Sequence, residues 1–393
     1  MGVGPSNLVL AVNSKVAVYT KTGVSSPSKS LSTWFSSVGT TGLTMFDPWV
    51  VYDIESGRFF LLTAGTNSST REAYLFLSVS QSSDAESTWC NYKIGVQSST
   101  DLNSFADYPK LGVDSRGVYI TANMHFFSNS DFQYAKLWVY DKSNLTSCSN
   151  PRYAVFYDLR NNDNTLAFTV QPAIIRGTSS VEYMVNAHVP LSSYPGGDAL
   201  TLWSVTCCSS YTASRVKVSV SPYSAPPDAP QLGSTLPIDT IDGRLMNAVY
   251  YADHLWTTHA TEHKGASAVR VYRIFTPTST AVLSTRYDFL GRYYFNPSVT
   301  LGTTGSKTML VFNRSSTSEY AGIWYGKLTG SRWSVPVSLK AGEGPSLLID
   351  SLGRNRWGDY AGSAPDPDGG NLWMYSQYGK TIGGWGTWVG ATQ

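Results

Sequence analysis

Polar residues recur at one position of a repeated sequence pattern, and they are the first candidates for chemistry. They combine carboxylates, amides and arginines: Asp47, Asp107, Gln171, Asp242, Arg244, Asn296, Arg356 and Asp359. Aromatic residues accompany several of them: Tyr52, Tyr108, Trp357 and Tyr360. Sugar hydroxyls need hydrogen-bond donors and acceptors, while the C–H face of a sugar ring packs against aromatic rings. The mixture therefore predicts a carbohydrate site.

The same residue types are compatible with two kinds of glycan cleavage. Two carboxylates can serve as acid and as nucleophile or base in glycoside hydrolysis, and the candidates are Asp47, Asp107 and Asp359. A histidine can take the proton beside a uronate carboxylate in β-elimination, and His259 is the candidate, expected at one rim. Arginines would favour uronate, sulfate or sialate groups through paired hydrogen bonds. The substrate-binding candidates are Tyr108, Gln171, Arg244, Asn296, Arg356, Trp357 and Tyr360.

Each of these residues also has a structural interpretation. An Asp at a strand start can cap backbone N–H groups or pair with an arginine, and Arg356 can pair with Asp359. His125 occupies a place comparable to that of His259, whereas His188 and His254 are predicted at the surface. The chain has no phosphate loop, dinucleotide fingerprint or nucleophile elbow. Nucleotide enzymes and ordinary serine hydrolases are therefore not expected.

Metal ligation is not expected to drive the chemistry. His259, Glu262 and His263 match no standard zinc spacing. Asp366 and Asp368 could hold a structural Ca²⁺. We therefore predict no cofactor, with structural calcium as the open alternative.

The repeated pattern is a polar residue, usually with proline, then an apolar run, a tight turn and a second apolar run. It is clearest at 47–62 and 108–121, and it returns near 171, 244, 296 and 359 after an N-terminal copy at 5–19. Strand-forming residues around Gly, Asp, Asn and Ser turns are typical of β-hairpins. Third and fourth strand candidates follow, such as 135–140 and 152–157.

These features predict an all-β chain that forms one β-propeller domain over residues 1–393. Seven four-stranded blades would start near residues 5, 47, 107, 171, 243, 296 and 358, and six or eight blades remain possible. The innermost strands of a propeller line its central channel, and ligands usually bind at one mouth. The recurring polar residues are therefore predicted to form a ring at that mouth.

One segment resembles the signature of a known protein group. Arg356-Trp357-Gly358-Asp359-Tyr360-Ala361-Gly362 is similar to the Arg-Trp-Gly-Asp-Tyr-Ser-Gly segment of secreted, mostly microbial β-propellers, and 47–53, 107–113 and 121–124 also match that group. The resemblance covers nearly the whole chain and implies secretion and the fold, without a single activity. More distantly, 366–373 resembles an Asp-box turn of sialidase-like propellers, with a plain hairpin turn as the alternative.

Charge and targeting signals narrow the class of partner. Charged residues are only 14% of the chain and the formal net charge is +2, so no nucleic-acid partner is expected. No apolar stretch is long enough for a membrane-spanning helix. Met1-Gly2 leads almost at once into the first repeat, so we expect the native leader to be missing from this sequence. We predict a secreted, extracellular monomer with a carbohydrate ligand.

The four cysteines fall into two pairs. Cys90 and Cys148 follow equivalent parts of neighbouring repeats and could form a disulfide in an oxidising compartment. Cys207 and Cys208 are adjacent, and neighbouring side chains on a strand point to opposite faces. For this second pair we expect one buried and one exposed thiol.

Two functions follow from these observations. The first is a secreted carbohydrate-active enzyme, either a glycoside hydrolase or a polysaccharide lyase, suggested by the polar and aromatic ring and the rim histidines. The second is a non-catalytic propeller that binds a glycan or protein, as in adhesion, suggested by the absence of a recognised catalytic motif. The fold cannot choose between them, because propellers have many unrelated functions.

Overall fold

The computed structural model describes residues 1–188, 196–381 and 383–393. Within these residues β-strands dominate, and the helical elements are short, which confirms the all-β prediction. None of the helices in this described part is long and apolar enough to cross a membrane.

The chain divides into two compact units. The first unit comprises Met1–Asn186 and Trp203–Arg215, and the second comprises Ala187–Leu202 and Val216–Gln393. The prediction of one propeller domain, with its seven blade starts, stays a prediction.

The elements up to residue 188 are β1 (Gly2–Val3), β2 (Asn7–Val12), β3 (Lys15–Thr20), β4 (Lys29–Ser30), α1 (Leu31–Trp34), a 3-10 turn (Ser36–Val38), β5 (Thr44–Asp53), β6 (Arg58–Asn67), β7 (Glu72–Ser80), β8 (Trp89–Gly95), β9 (Ser104–Val113), β10 (Gly117–Phe126), β11 (Phe132–Asp141), α2 (Lys142–Thr146), β12 (Tyr153–Leu159), β13 (Gln171–Arg176) and β14 (Glu182–His188). In the first unit, consecutive strands form antiparallel sheets β1–β4, β5–β8 and β9–β12. β13 pairs in parallel with β9.

The remaining strands are β15 (Gly196–Thr206), β16 (Thr212–Ser224), β17 (Ala229–Gln231), β18 (Ser234–Ile238), β19 (Asn247–Tyr251), β20 (His254–His263), β21 (Ala266–Phe275), β22 (Thr280–Tyr287), β23 (Tyr293–Leu301), β24 (Thr308–Ser316), β25 (Glu319–Thr329), β26 (Arg332–Trp333), β27 (Val337–Lys340), β28 (Gly362–Pro365), β29 (Leu372–Lys380) and β30 (Gly384–Thr392). In the second unit, β19–β22 and β28–β30 are antiparallel meanders. Strands β23, β24 and β25 form another, and β26 and β27 both pair with β25.

The X–Pro pair of the repeated pattern has the same local structure in three hairpins. Asp47 with its proline lies opposite one residue of β6, because the register shifts between Phe46 and Trp49. The same two-against-one shift occurs at Tyr108 in β9 and at Asn296 in β23. All three residues have positive φ, at 52°, 54° and 46°. Each X–Pro pair therefore forms a β-bulge, where the missing proline N–H removes no regular ladder bond.

Apolar side chains pack on both faces of the central strands of the sheets, such as β6 and β24. In the first unit, Leu61 and Leu62 are neighbours in β6 and belong to two different core clusters, both with no solvent exposure. In the second unit, the neighbours Leu310 and Val311 of β24 likewise belong to two different clusters. The hairpins therefore have two buried faces, which accounts for the nearly continuous apolar runs seen in the sequence.

The cysteines form two disulfides, of which the sequence suggested one. Cys90 of β8 is bonded to Cys148 after α2, with Cα atoms 5.6 Å apart, as the repeat positions suggested. Cys207 and Cys208 are bonded to each other, so the expectation of two thiols is wrong. These two residues lie beyond the end of β15, and Cys208 has a φ of 85°. Strand alternation therefore does not separate their side chains.

His259 lies inside a strand, and the prediction of a rim loop is wrong. It is fully buried in the middle of β20, where its Nδ1 is 2.7 Å from the Gly243 carbonyl oxygen and its Nε2 is 3.1 Å from Tyr272 Oη. Burial lowers the pKa of His259 to about 4. The predicted surface position of His188 is also wrong, since it is buried with Nδ1 3.2 Å from Thr201 Oγ1.

We expect removal of the Cys90–Cys148 bond to destabilise the first unit. The bond closes a loop with a sequence separation of 58 residues. Replacing both residues by serine should lower the free energy of unfolding by roughly 2–5 kcal/mol, because the unfolded chain gains entropy. Thermal melts would measure the effect, with the Cys207→Ser and Cys208→Ser double variant as the matched control. Equal melting temperatures for wild type and the Cys90/Cys148 variant would contradict the prediction.

We expect the buried neutral His259 to make the free energy of unfolding depend on pH. The unfolded chain binds a proton near pH 6.5, whereas the folded chain does so only near pH 4, so stability falls as the pH falls between these values. The loss should be on the order of 3 kcal/mol. His259→Gln should flatten this dependence in urea-unfolding series, and His254→Gln at the start of β20 is the control. The same pH slope in wild type and His259→Gln would refute the assignment.

Candidate functional site

An open cleft of about 850 Å³ lies beside the β9–β12 sheet of the first unit. Four aromatic residues line it: Phe126, Phe132, Tyr134 and Tyr157. Asp158 and Arg160 are its charged lining residues. Apolar rings with a few polar groups are typical of ligand sites.

A bulge in β12 positions part of this lining. Ala135 pairs with Leu159 and Leu137 pairs with Phe156, so Tyr157 and Asp158 together lie opposite Lys136. Asp158 has a φ of 50°, as the extra residue of a bulge can have. The bulge interrupts the alternation of β12, so an aromatic residue and the following carboxylate both reach the cleft.

A buried ion pair lies next to the aromatic rings. Lys136 Nζ is 2.6 Å from Asp101 Oδ2 and 2.7 Å from the Val96 carbonyl oxygen. Tyr134 Oη donates to Asp101 at 2.7 Å, and Lys136 Nζ is 4.3 Å from the Tyr157 ring centroid. Burial and then the bond to Asp101 raise the pKa of Tyr134. Asp101 therefore orients a neutral phenol and a cation at once.

Asp158 and Arg160 form a second ion pair, which is half-exposed. Arg160 Nε donates to Asp158 Oδ2 at 2.8 Å, and Arg160 Nη1 donates to the Asn164 carbonyl oxygen at 2.9 Å. The two side chains are 45% and 43% exposed for Asp158 and Arg160 respectively, so solvent or a ligand can reach both.

Asp107 is the predicted catalytic residue that lies beside this cleft. Its Oδ2 is 3.9 Å from His125 Nε2, and its side chain is 40% exposed. His125 Nδ1 is 2.9 Å from the Ser130 carbonyl oxygen, so Nδ1 carries the proton and Nε2 faces the carboxylate. The His125 ring is 5.7 Å from both Phe105 and the cleft residue Phe132. An imidazole and a carboxylate therefore adjoin the aromatic lining.

The other predicted residues of the first unit are buried. Asp47 is 7% exposed and its N–H donates to Asn13 Oδ1 at 2.7 Å. Tyr108 is 3% exposed, with Lys110 Nζ 3.7 Å from its ring centroid. Gln171 is 1% exposed. Asp47 and Tyr108 are the bulge residues inside β5 and β9, and such positions fit structural roles.

Two predicted arginines of the second unit pair with neighbouring carboxylates. Arg244 makes a two-pronged contact with Asp242, at 2.8 Å and 2.5 Å. Arg356 Nη2 donates to Asp359 Oδ1 at 2.7 Å, which is the pairing that the structural interpretation anticipated. Arg244 thus directs two parallel N–H groups at Asp242, the arrangement that would otherwise bind an acidic sugar, and Arg356 lies next to the negative charge of Asp359.

The segment with the Arg-Trp-Gly-Asp-Tyr signature is anchored to β23 and β24. Asn296 Nδ2 donates to the Gly358 carbonyl oxygen. Trp357 is 6% exposed, and its Nε1 donates to Asn313 Oδ1 at 3.2 Å. Tyr360 is half-buried. These contacts stabilise the second unit.

The Asp366 carboxylate organises a turn. Its Oδ2 accepts from Trp373 Nε1 at 2.9 Å, and Asp368 Oδ1 accepts from the Gly370 N–H at 2.8 Å. Among the residues that the structure describes, no group of three or more His, Cys, Asp or Glu side chains could hold a metal ion. Calcium at this turn stays a prediction.

Sequence reasoning missed the cleft, although it placed a fourth strand at 152–157. The sequence pattern that could have indicated the cleft is an aromatic, an acidic and a basic residue within four positions: Tyr157, Asp158 and Arg160. Regular alternation would separate Tyr157 from Asp158, and the bulge brings them together.

Comparisons with known proteins give remote similarities. No protein-family model and no curated protein matches this chain. Among solved structures, the chain is similar to Trypanosoma rangeli sialidase in complex with sialic acid, with a TM-score of 0.46, 10% identity, and coverage of 99% of this chain and 59% of the sialidase. It is also similar to the Dos1 propeller, with a TM-score of 0.44, 9% identity and coverage of 95% and 88%. It is also similar to the endo-arabinase from Bacteroides thetaiotaomicron VPI-5482, with a TM-score of 0.38 and 10% identity. This match covers 88% of this chain and 93% of the endo-arabinase. The chain thus spans about three fifths of the sialidase, and at these TM-scores the similarities carry no argument for a shared activity.

Proposed function

We propose that this protein is carbohydrate-active and binds a glycan in the aromatic cleft of the first unit. The observation that carries this proposal is the set of four aromatic rings around about 850 Å³ of open space, with Asp158 and Arg160 among them. The proposal includes the seven-bladed propeller, secretion and the monomeric state predicted from the sequence.

The cleft offers both kinds of contact that a sugar requires. Tyr157 is 45% exposed and Phe126 is 41% exposed, so each has ring surface available for the C–H face of a sugar. Asp158 accepts hydrogen bonds from hydroxyls, while Arg160 and Gln133 supply donors. The bonds of Tyr134 and Lys136 to Asp101 hold the lining in place before a ligand arrives.

Tyr157→Ala should weaken glycan binding by about five- to thirtyfold, because a stacking face of roughly 1–2 kcal/mol is lost. Calorimetry or affinity electrophoresis on a panel of plant, algal and microbial polysaccharides would measure the loss.

Tyr153→Ala is the matched control for this change. Tyr153 lies on the same strand and is 59% exposed, but it stacks on Tyr140 and does not line the cleft. Binding should survive Tyr153→Ala. Equal losses for the two variants, or saturable binding by neither wild type nor variants, would argue against a glycan site in this cleft.

A second candidate function is glycan cleavage, either by hydrolysis or by β-elimination. It is favoured by the Asp107–His125 pair, in which Oδ2 and Nε2 are 3.9 Å apart beside Phe132. A half-exposed carboxylate and an imidazole could exchange protons with a bound sugar. Binding remains the main proposal because the cleft itself does not depend on this pair.

If the protein cleaves glycans, Asp107→Asn should slow the release of reducing ends by roughly a hundredfold or more, since a proton-transfer group is removed. Asp131→Asn, in the nearby β10–β11 turn, should retain the wild-type rate. Ultraviolet absorbance of an unsaturated product would separate β-elimination from hydrolysis. If folded wild type releases no reducing ends from any polysaccharide, cleavage is ruled out and binding stands.

A further inference from the structure

We propose that the aromatic cleft selects uncharged glycans over uronates and other acidic sugars, and that Asp158 sets this selectivity. This inference rests on the proposed glycan-binding function and names the ligand class. It reverses the sequence-based expectation that arginines in the site favour acidic sugars.

Arg160 is the lining arginine, and its position beside Asp158 limits its use by a sugar carboxylate. A carboxylate binds most strongly to two parallel N–H groups of a guanidinium. Arg160 Nε is committed to Asp158 Oδ2 at 2.8 Å, and Arg160 Nη1 is committed to the Asn164 carbonyl oxygen at 2.9 Å. An acidic sugar would have to displace Asp158 or bind beside its negative charge.

The second cation next to the cleft, Lys136, also forms an ion pair with a carboxylate. Lys136 Nζ lies 2.6 Å from Asp101 Oδ2, and both side chains are almost fully buried. Lys136 Nζ also donates to the Val96 carbonyl oxygen at 2.7 Å. Lys136 therefore contributes no uncompensated positive charge, and the two ion pairs leave the lining close to neutral.

The remaining surfaces disfavour an anion. The faces of aromatic rings carry partial negative charge, so they attract C–H groups and repel carboxylates. Asp107 adds a half-exposed carboxylate beside His125, whose ring is 5.7 Å from the cleft residue Phe132. Hydroxyl groups are not repelled in this way, because they can donate to Asp158. A hydroxyl oxygen also needs only one N–H donor from Arg160, whereas a carboxylate binds best to two.

The test uses matched oligosaccharides that differ only at C6. Glucose, galactose and mannose oligomers are compared with the corresponding glucuronate, galacturonate and mannuronate oligomers by calorimetry. Wild type should bind the neutral member of at least one pair more tightly. Preference for the acidic members would overturn the selectivity and leave glycan binding intact, whereas binding to no member of any pair would overturn both.

Two variants test the role of Asp158. Asp158→Asn should raise the acidic-to-neutral affinity ratio by about two- to fivefold, the effect of one half-exposed charge. Arg160→Gln should lower that ratio, because the negative charge of Asp158 is then no longer balanced by its partner. This variant replaces Asp158→Asn as the test if Asp158→Asn does not fold. Asp198→Asn is the control, since it removes an equally charged group that is 69% exposed and paired with Lys217 at 3.6 Å. A ratio unchanged in both cleft variants, or shifted equally by Asp198→Asn, would overturn the assignment.

Discussion

The β-bulge at the X–Pro pair is the constraint on which the repeated hairpins depend. Proline has no N–H to give to a sheet, so a strand that contains it must accommodate a missing ladder bond. At Asp47, Tyr108 and Asn296 the chain does this by placing two residues opposite one, with a positive φ at the first. The strand bends there, and its apolar residues on either side keep their buried faces.

This constraint explains the polar residue before proline at two of these positions, Asp47 and Asn296. Asn and Asp tolerate a positive φ better than most residues, so their presence before proline follows from backbone geometry. Asp47 and Asn296 are accordingly buried, and the Asn296 amide bonds to the Gly358 carbonyl oxygen. The exposed carboxylate of Asp107 is different because it precedes the bulge residue Tyr108 and faces His125.

A further bulge, in β12, places Tyr157 and Asp158 together in the lining of the cleft. There the extra residue is Asp158, and its carboxylate pairs with Arg160 at the surface. The buried Lys136–Asp101 pair supports the same region from within, since an unpaired charge at that depth would be costly. A local irregularity and a buried ion pair together build an ordered aromatic surface that remains open to solvent.

The sequence by itself determined the strand content and the positions of the main hairpins, because these depend on local patterns of apolar residues and turns. It indicated Cys90 and Cys148 only as a possible disulfide, through their equivalent places in neighbouring repeats. It could not determine which polar residues are accessible. His259 and Asp107 look alike as candidates in sequence, yet one is fully buried against Tyr272 and the other is half-exposed beside His125. Only the tertiary structure decided this, since burial depends on the packing of strands from different hairpins. It also brought Tyr157 and Asp158 into one cleft, because a one-residue shift in strand register changes which face each side chain occupies.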